Sequence, residues 1–197
     1  KDVLHRIPLL YKVDGEMPTQ DPSGLSGNKL EVETMFVLAQ SPAIKSAIKS
    51  FEEAGVDAEE IVASPFLVSK AVLEKRETEV GVMVLDLGAT TSSISLFEDG
   101  LPYSLEVLGV GSGHVTQDIA VGFQIDLDEA EKIKLDFRGY DKFSKKDEMI
   151  HGKYSKKKIA DIVEARFMDI FELVEKHLKK VDRMGLLPAG VVIVGGG

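Results

Sequence analysis

Residues 84–100, VLDLGATTSSISLFEDG, constrain the fold more than any other stretch of this chain. An apolar run ends at Asp86, a glycine follows at position 88, and Thr90, Thr91, Ser92 and Ser93 precede a second apolar alternation closed by Asp99-Gly100. Asp-Gly at a strand end signals a hairpin, because a two-residue primed turn needs positive φ at both central positions. The pattern predicts strands over 80–86, 93–98 and 103–108. Strands seldom spend so many small polar residues on an ordinary turn. Glycine lets a backbone approach a ligand and donate N–H groups to phosphate oxygens, and the hydroxyls add further donors. Asp86 suits a Mg²⁺ held through water, an ion that prefers oxygen ligands and keeps much of its hydration. A purely structural polar turn explains the same residues, and the loop alone does not decide between the two.

A second strand-and-glycine turn lies at the other end of the chain. AGVVIVGGG (189–197) reads as a buried strand running into Gly195, Gly196 and Gly197. Two such turns on neighbouring strands can face a common crevice, which favours a ligand site. A strand delivering a glycine turn should lead into a helix, so the chain reads as a fragment.

Between these turns, HVTQDIAVGF (114–123) and DEAEKIKLDF (128–137) predict helices. DKFSKKDEMIHGKYSKKK (141–158) is lysine-rich without periodicity. With Asp147 and Glu148 interleaved, it reads as a solvated loop and not as a nucleic-acid arm. From Ile159 to Val181 the apolar residues recur at helical spacing. Arg166 borders that stripe and Asp169 lies well off it, so a change at Arg166 is expected to spare the fold.

Residues 1–76 read as a separate small module in the order strand, helix, strand, helix. LEVETMFVLA (30–39) alternates, with Leu30, Val32, Phe36 and Leu38 on one face. Ser41-Pro42 and Ser64-Pro65 are helix-start signals, and Gly55 suits a C-terminal cap. GEMPTQDPSGLSG (15–27) is a loop by composition, and the charged EKRETE (74–79) is the expected joint.

Composition narrows the chemistry. The 197 residues are 44% hydrophobic, enough for a sizeable core. There is no cysteine, hence no disulfide and no thiolate site. A net charge of −9 argues against non-specific nucleic-acid binding. No apolar run is long enough to span a bilayer, and a soluble, cytosolic protein is expected. The four histidines are far apart with no ligand spacing, and no G-x-S-x-G, H-E-x-x-H or Walker A pattern occurs. Glu129 and Glu131 lie on a helix of mixed charge, whose default is a solvated face.

With both glycine turns placed, the order of elements resembles the actin-like ATPases, and within them the bacterial FtsA family. DPSGLSGNKLEVE (21–33), GSGHVTQDIAVGF (111–123), DEAEKIK (128–134), EARFMDIFELVEKHL (164–178) and LLPAGVVIVGGG (186–197) are similar to that family's segments. The resemblance implies an α/β fold: an incomplete actin-like ATPase (ribonuclease-H-like) domain preceded by a small α+β subdomain. Residues 1–76 would be subdomain 1C, and 77–197 part of domain 2, namely 2A with a 2B insertion at about 124–165. It implies ATP and Mg²⁺ as ligands. Asp86, Gly88, Ala89, Thr90, Thr91 and Ser92 would form the second phosphate loop, with Asp86 near the metal. Gly195, Gly196 and Gly197 would form the adenosine loop, and Glu131 and Lys134 would approach the nucleoside. Arg166 and Asp169 would face the C-terminal peptide of the tubulin-like FtsZ. The implied role is a cell-division adaptor that links FtsZ filaments to the cytoplasmic membrane at the septum, with at most weak ATPase activity. It would self-associate into actin-like protofilaments, meet other divisome proteins through subdomain 1C, and reach the membrane only through a C-terminal helix outside these residues. No nucleic-acid partner is implied.

The family's G-G-G-T-T-D reads Gly88-Ala89-Thr90-Thr91-Ser92-Ser93 here. Ala89 and Thr90 replace glycines, which implies a looser hold on phosphate, and Ser93 replaces an aspartate near the metal. The hairpin also resembles the D-I-G-A-x-x-T loop of PilM, an actin-like adaptor of type IV pilus assembly. PilM lacks the PSGLSGNKLEVE segment.

Overall fold

The computed structural model describes residues 1–140 and 148–196. It opens with strand β1 (Asp2–Val13) and strand β2 (Leu30–Ala39), paired antiparallel into a two-stranded ribbon. The order is therefore strand, strand, helix, helix, and β1 is an element that sequence patterning did not reveal. Its register shifts next to Pro8, which cannot donate to a ladder and blurs the alternation. The turn between the strands is tied by Asp14, whose carboxylate accepts from the Asn28 and Lys29 N–H groups at 2.7–3.0 Å.

Helices α1 (Ser41–Glu53) and α2 (Ser64–Val72) follow. Both begin one residue earlier than the Ser-Pro signals suggest, with Gln40 and Ala63 as caps. The Ser41 hydroxyl is drawn away from capping to donate to Asp2 at 2.8 Å. No strand separates the two helices. EKRETE is not an open connector: Lys75–Val80 form the short helix α3, and the Glu74 N–H donates to the Glu77 carboxylate at 2.7 Å.

A four-stranded sheet then forms from β3 (Val82–Leu87), β4 (Ser92–Glu98), β5 (Leu101–Leu108) and the last strand, β8 (Val191–Val194). Its order is β5-β4-β3-β8, antiparallel except for the parallel β3–β8 pair. The β4–β5 turn has φ of 54° at Asp99 and 75° at Gly100, as the Asp-Gly signal requires.

Between β5 and β8 run α4 (Ser112–Phe123), α5 (Leu127–Asp136), the two-residue strands β6 (Met149–Ile150) and β7 (Tyr154–Ser155), and α6 (Lys156–Lys180). The 25-residue α6 spans roughly 37 Å at 1.5 Å per residue and serves two cores. Its C-terminal half packs Ile170, Val174 and Leu178 on the sheet face of Met83, Leu85, Ile94 and Leu96. Its N-terminal end packs Ile159 with Val115, Ile119, Ala130, Ile133, Ile150 and Tyr154. The opposite sheet face is covered by α2, although sequence grouping placed that helix in the first module. Pro65 and Ser69 are buried there, and the Ser69 and Ser95 hydroxyls meet at 2.5 Å.

One buried titratable group ties α6 to the sheet. His177 is 5% exposed, shares a 2.9 Å hydrogen bond with the Ser104 hydroxyl, and lies 3.5 Å from the Glu106 carboxylate. Burial pushes its pKa below the ordinary value, Glu106 opposes that shift, and Lys180 adds to it. Such a group is neutral in both states above its unfolded pKa. Below that value the unfolded chain takes up the proton first. Stability is therefore expected to fall as the pH drops from about 6.5 towards the lower folded-state pKa. Urea midpoints between pH 7.5 and 5.5 check this, and His177→Gln should flatten the slope.

Candidate functional site

The hairpin between β3 and β4 is closed by the Gly88 N–H donating to the Thr91 carbonyl at 3.0 Å. Ala89, Thr90 and Thr91 are exposed at its tip. Among the described residues, the Ala89 and Thr90 N–H groups donate to no backbone carbonyl, so both remain available to an anion. None of residues 88–91 has positive φ, so Ala89 and Thr90 occupy the turn without backbone strain.

Ser92 behaves differently from the tip residues. It is buried, and its hydroxyl donates inward to the Val110 carbonyl at 2.7 Å, so it braces the loop from behind. Asp86 is half-buried at the end of β3, in register with Ser93 on β4 and Val194 on β8. Among the described residues no group of three or more acidic or histidine side chains forms a metal cage. One carboxylate beside a polar turn fits Mg²⁺ only in its water-mediated mode.

The two glycine turns lie side by side. Gly195 has φ of 115°, and a Cβ there would stand 2.2 Å from the Leu87 carbonyl oxygen. Any side chain would push β8 off β3, so glycine is required by both backbone conformation and space. Gly196 is exposed with open space around it. Gly197 lies outside the described residues.

The start of α4 forms the third wall. The Ser112 N–H donates to the Gly88 carbonyl at 2.9 Å, and the Gly113 N–H to the Ala89 carbonyl at 2.7 Å. The helix is thus capped by the hairpin itself. A Cβ on Gly111 would lie 2.4 Å from the Gly88 oxygen, which explains the glycine. One turn further on, the Thr116 hydroxyl donates to Glu131 Oε2 at 2.5 Å, and Lys134 Nζ reaches the same oxygen at 2.8 Å. Lys134, then Thr116, hold the Glu131 carboxyl below its ordinary pKa by hydrogen bonding. Glu131 keeps 43% of its side chain exposed, as a solvated face implies, but Thr116 and Lys134 both hold one of its oxygens. Gly111, Ser112, Gly113 and Thr116 join the site by geometry; in the sequence they stand out only as part of the family-like segment GSGHVTQDIAVGF.

Arg166 and Asp169 lie on α6, apart from these turns in the chain and joined to α4 by a charge bridge. Arg166 Nε and Nη2 donate to the two carboxylate oxygens of Asp118 at 2.7 and 2.9 Å, and Nη1 donates to Asp169 at 3.1 Å. The Asp118 hydrogen bond chiefly raises the pKa of Arg166. Asp118, on α4, was not singled out by sequence. Its spacing to Arg166, 48 residues, carries no local signal.

Comparisons with known proteins agree with this architecture. The family model described as "Cell division protein FtsA" matches residues 83–189, and that described as "SHS2 domain inserted in FTSA" matches residues 1–38. The chain is 30% identical to the cell division protein FtsA of Bacillus subtilis (strain 168), over 96% of this chain and 45% of that protein. It is 28% identical to FtsA of Pseudomonas aeruginosa, over 98% of this chain and 49% of that protein. It therefore spans about half the length of the curated relatives it matches. Among solved structures, the PilM-PilN type IV pilus biogenesis complex superposes with a TM-score of 0.71 at 20% identity, over 98% of this chain and 49% of that one. MreB5 of Spiroplasma citri bound to ADP superposes with a TM-score of 0.64 at 18% identity, over 81% and 55%. At such identities these likenesses show the fold, which is actin-like. The family model covers more than half of the residues, and the chain belongs to the FtsA family of cell division proteins.

Proposed function

We propose that this chain forms one side of a nucleotide cleft in an actin-like cell-division adaptor. ATP phosphates would lie at Ala89–Thr91, with Asp86 reaching a hydrated Mg²⁺, and the nucleoside would lie between Gly195–Gly196 and the Glu131–Lys134 pair. Gly88 and Ser92 shape the turn from behind. When bound, Mg²⁺ would offset phosphate charge. The observation that carries this reading is the close approach of Gly195 to the backbone of Leu87 beside a turn whose Ala89 and Thr90 N–H groups donate to no backbone carbonyl.

The α6 surface at Arg166 and Asp169 would receive the C-terminal peptide of FtsZ. Arg166 has five N–H donors and gives three to Asp118 and Asp169, which leaves two for a partner. Linking FtsZ filaments to the membrane, self-association and divisome contacts through subdomain 1C belong to the same proposal, as does the division into modules 1–76 and 77–197. Among the described residues no helix is long and apolar enough to cross a membrane. The PilM-like reading draws on fold likeness and on the hairpin's resemblance to the PilM loop, whereas the sequence family favours FtsA.

Titration of the chain with Mg-ATP, followed residue by residue by NMR, tests the cleft. The described residues supply one phosphate-facing turn, and phosphoryl transfer needs positioning from both sides. The expected result is weak binding, with Kd of about 1 mM or more, negligible hydrolysis, and shifts at Thr90, Thr91, Gly111–Thr116 and Gly195. Sub-micromolar affinity would refute the one-sided cleft, and a saturating titration that leaves those residues unshifted would refute the site.

A further inference from the structure

Thr116 is 6% exposed, and its hydroxyl crosses from α4 to Glu131 on α5. Lys134 meets the same oxygen, Oε2, and among the described residues no hydrogen bond reaches Glu131 Oε1. The Lys134 contact comes from three residues away on the same helix through a long, flexible side chain. The Thr116 contact comes from a different helix through a β-branched side chain with few rotamers. It is the tertiary contact that sets where the carboxylate points.

We propose that Thr116 is a positioning residue for the nucleoside end of the cleft, holding Glu131 so that Oε1 is presented as the acceptor for a sugar hydroxyl of the ligand. The inference rests on the nucleotide reading above. Two donors on one oxygen fix the plane of the carboxylate before the ligand arrives, and preorganisation of this kind lowers the ordering cost of binding. The same helix begins on the Gly88 and Ala89 carbonyls. α4 therefore sets the distance between the phosphate turn and Glu131 as one rigid body.

The test compares ATP with 2′-deoxy-ATP in NMR titrations of the 197-residue chain and its variants. Wild type is expected to favour ATP. Thr116→Val should weaken ATP about three- to tenfold while leaving 2′-deoxy-ATP within about twofold, the scale of one hydrogen bond. Thr116→Ser, which keeps the hydroxyl, should restore the preference. If valine disturbs the fold, Thr116→Ala removes the hydroxyl without adding bulk and should give the same loss. A merely structural threonine would change both affinities alike. An unchanged ratio of the two affinities in a folded Thr116→Val or Thr116→Ala variant overturns the assignment. A wild-type chain that binds neither nucleotide overturns the nucleotide reading itself, and this inference with it.

Discussion

Replacing Gly111 with alanine is expected to destabilise the protein by about 2–4 kcal/mol and to loosen the hairpin turn at the same time. The backbone at Gly111 is extended, with φ of −160°, so alanine is not strained there by conformation. The cost is steric. The added Cβ would meet the Gly88 oxygen at 2.4 Å, the Ala89 oxygen at 2.7 Å and the Ala89 carbonyl carbon at 2.8 Å. All three are backbone atoms, so no side chain can swing aside, and α4 must move away from the hairpin. That movement forfeits the two N–H bonds from Ser112 and Gly113. A urea midpoint lowered by about 1–2 M at unchanged m-value is the expected reading. Gly196→Ala is the control, because open space surrounds that residue and its effect should stay within about 0.5 kcal/mol. Equal stability of Gly111→Ala and wild type would mean that α4 does not seat on the loop as described.

Arg166→Glu is expected to injure the fold as well as the surface proposed for the FtsZ peptide. A border position on a helix suggested that the fold would survive. The structure changes that expectation, because Arg166 bridges α6 to Asp118 on α4 and also meets Asp169. The side chains of Arg166 and Asp118 are only 24% and 33% exposed. A glutamate would gather three carboxylates where one guanidinium had held two. The loss of a partly buried fork, with repulsion added, should cost about 2–4 kcal/mol of stability. A double-mutant cycle on Asp118 and Arg166 should show a coupling of about 1 kcal/mol or more, and none if the pair is incidental. Peptide binding needs gentler variants. Arg166→Lys keeps the charge but loses the planar fork, and Asp169→Asn releases one guanidinium donor. If the FtsZ peptide contacts Arg166 directly, Arg166→Lys should weaken it by about 1–3 kcal/mol in a folded chain. Unchanged affinity would remove Arg166 from that site.

Much of this architecture was legible because it follows from local rules. The meander at 80–108 rests on alternation plus an Asp-Gly turn, and both are properties of adjacent residues. The long helix follows from apolar spacing over 159–181 and is observed over Lys156–Lys180. Its first turn, with Ser155 accepting from the Lys158 N–H, and the short strands β6 and β7 lie in the stretch that composition marks as a solvated loop, of which 141–147 are outside the described residues. The pairing of the two glycine turns was inferable from their positions after buried strands, although 107 residues separate Gly88 from Gly195. Strand β1 was hidden because Pro8 and interleaved charges break its period, and only pairing with β2 makes it a strand. The helix within EKRETE was hidden because a charged hexapeptide looks like a connector; its start is held by the Glu77 carboxylate accepting from the Glu74 N–H.

The sequence by itself determined which segments are strands and helices around the two glycine turns, and that Gly88 and Gly195 sit where backbone must come close. It also placed hydroxyls at the hairpin tip. Only tertiary structure decided what each polar group does. Ser92 turns inward to Val110 while Thr90 and Thr91 stay exposed, because strand pleat and the packing of α4 choose the direction. Thr116 meets Glu131, and Asp118 meets Arg166, only because α4 lies against α5 and α6. Periodicity reports which face of an element is apolar. It does not report which other element covers that face, and the partners of buried charges and hydroxyls are set by that choice alone.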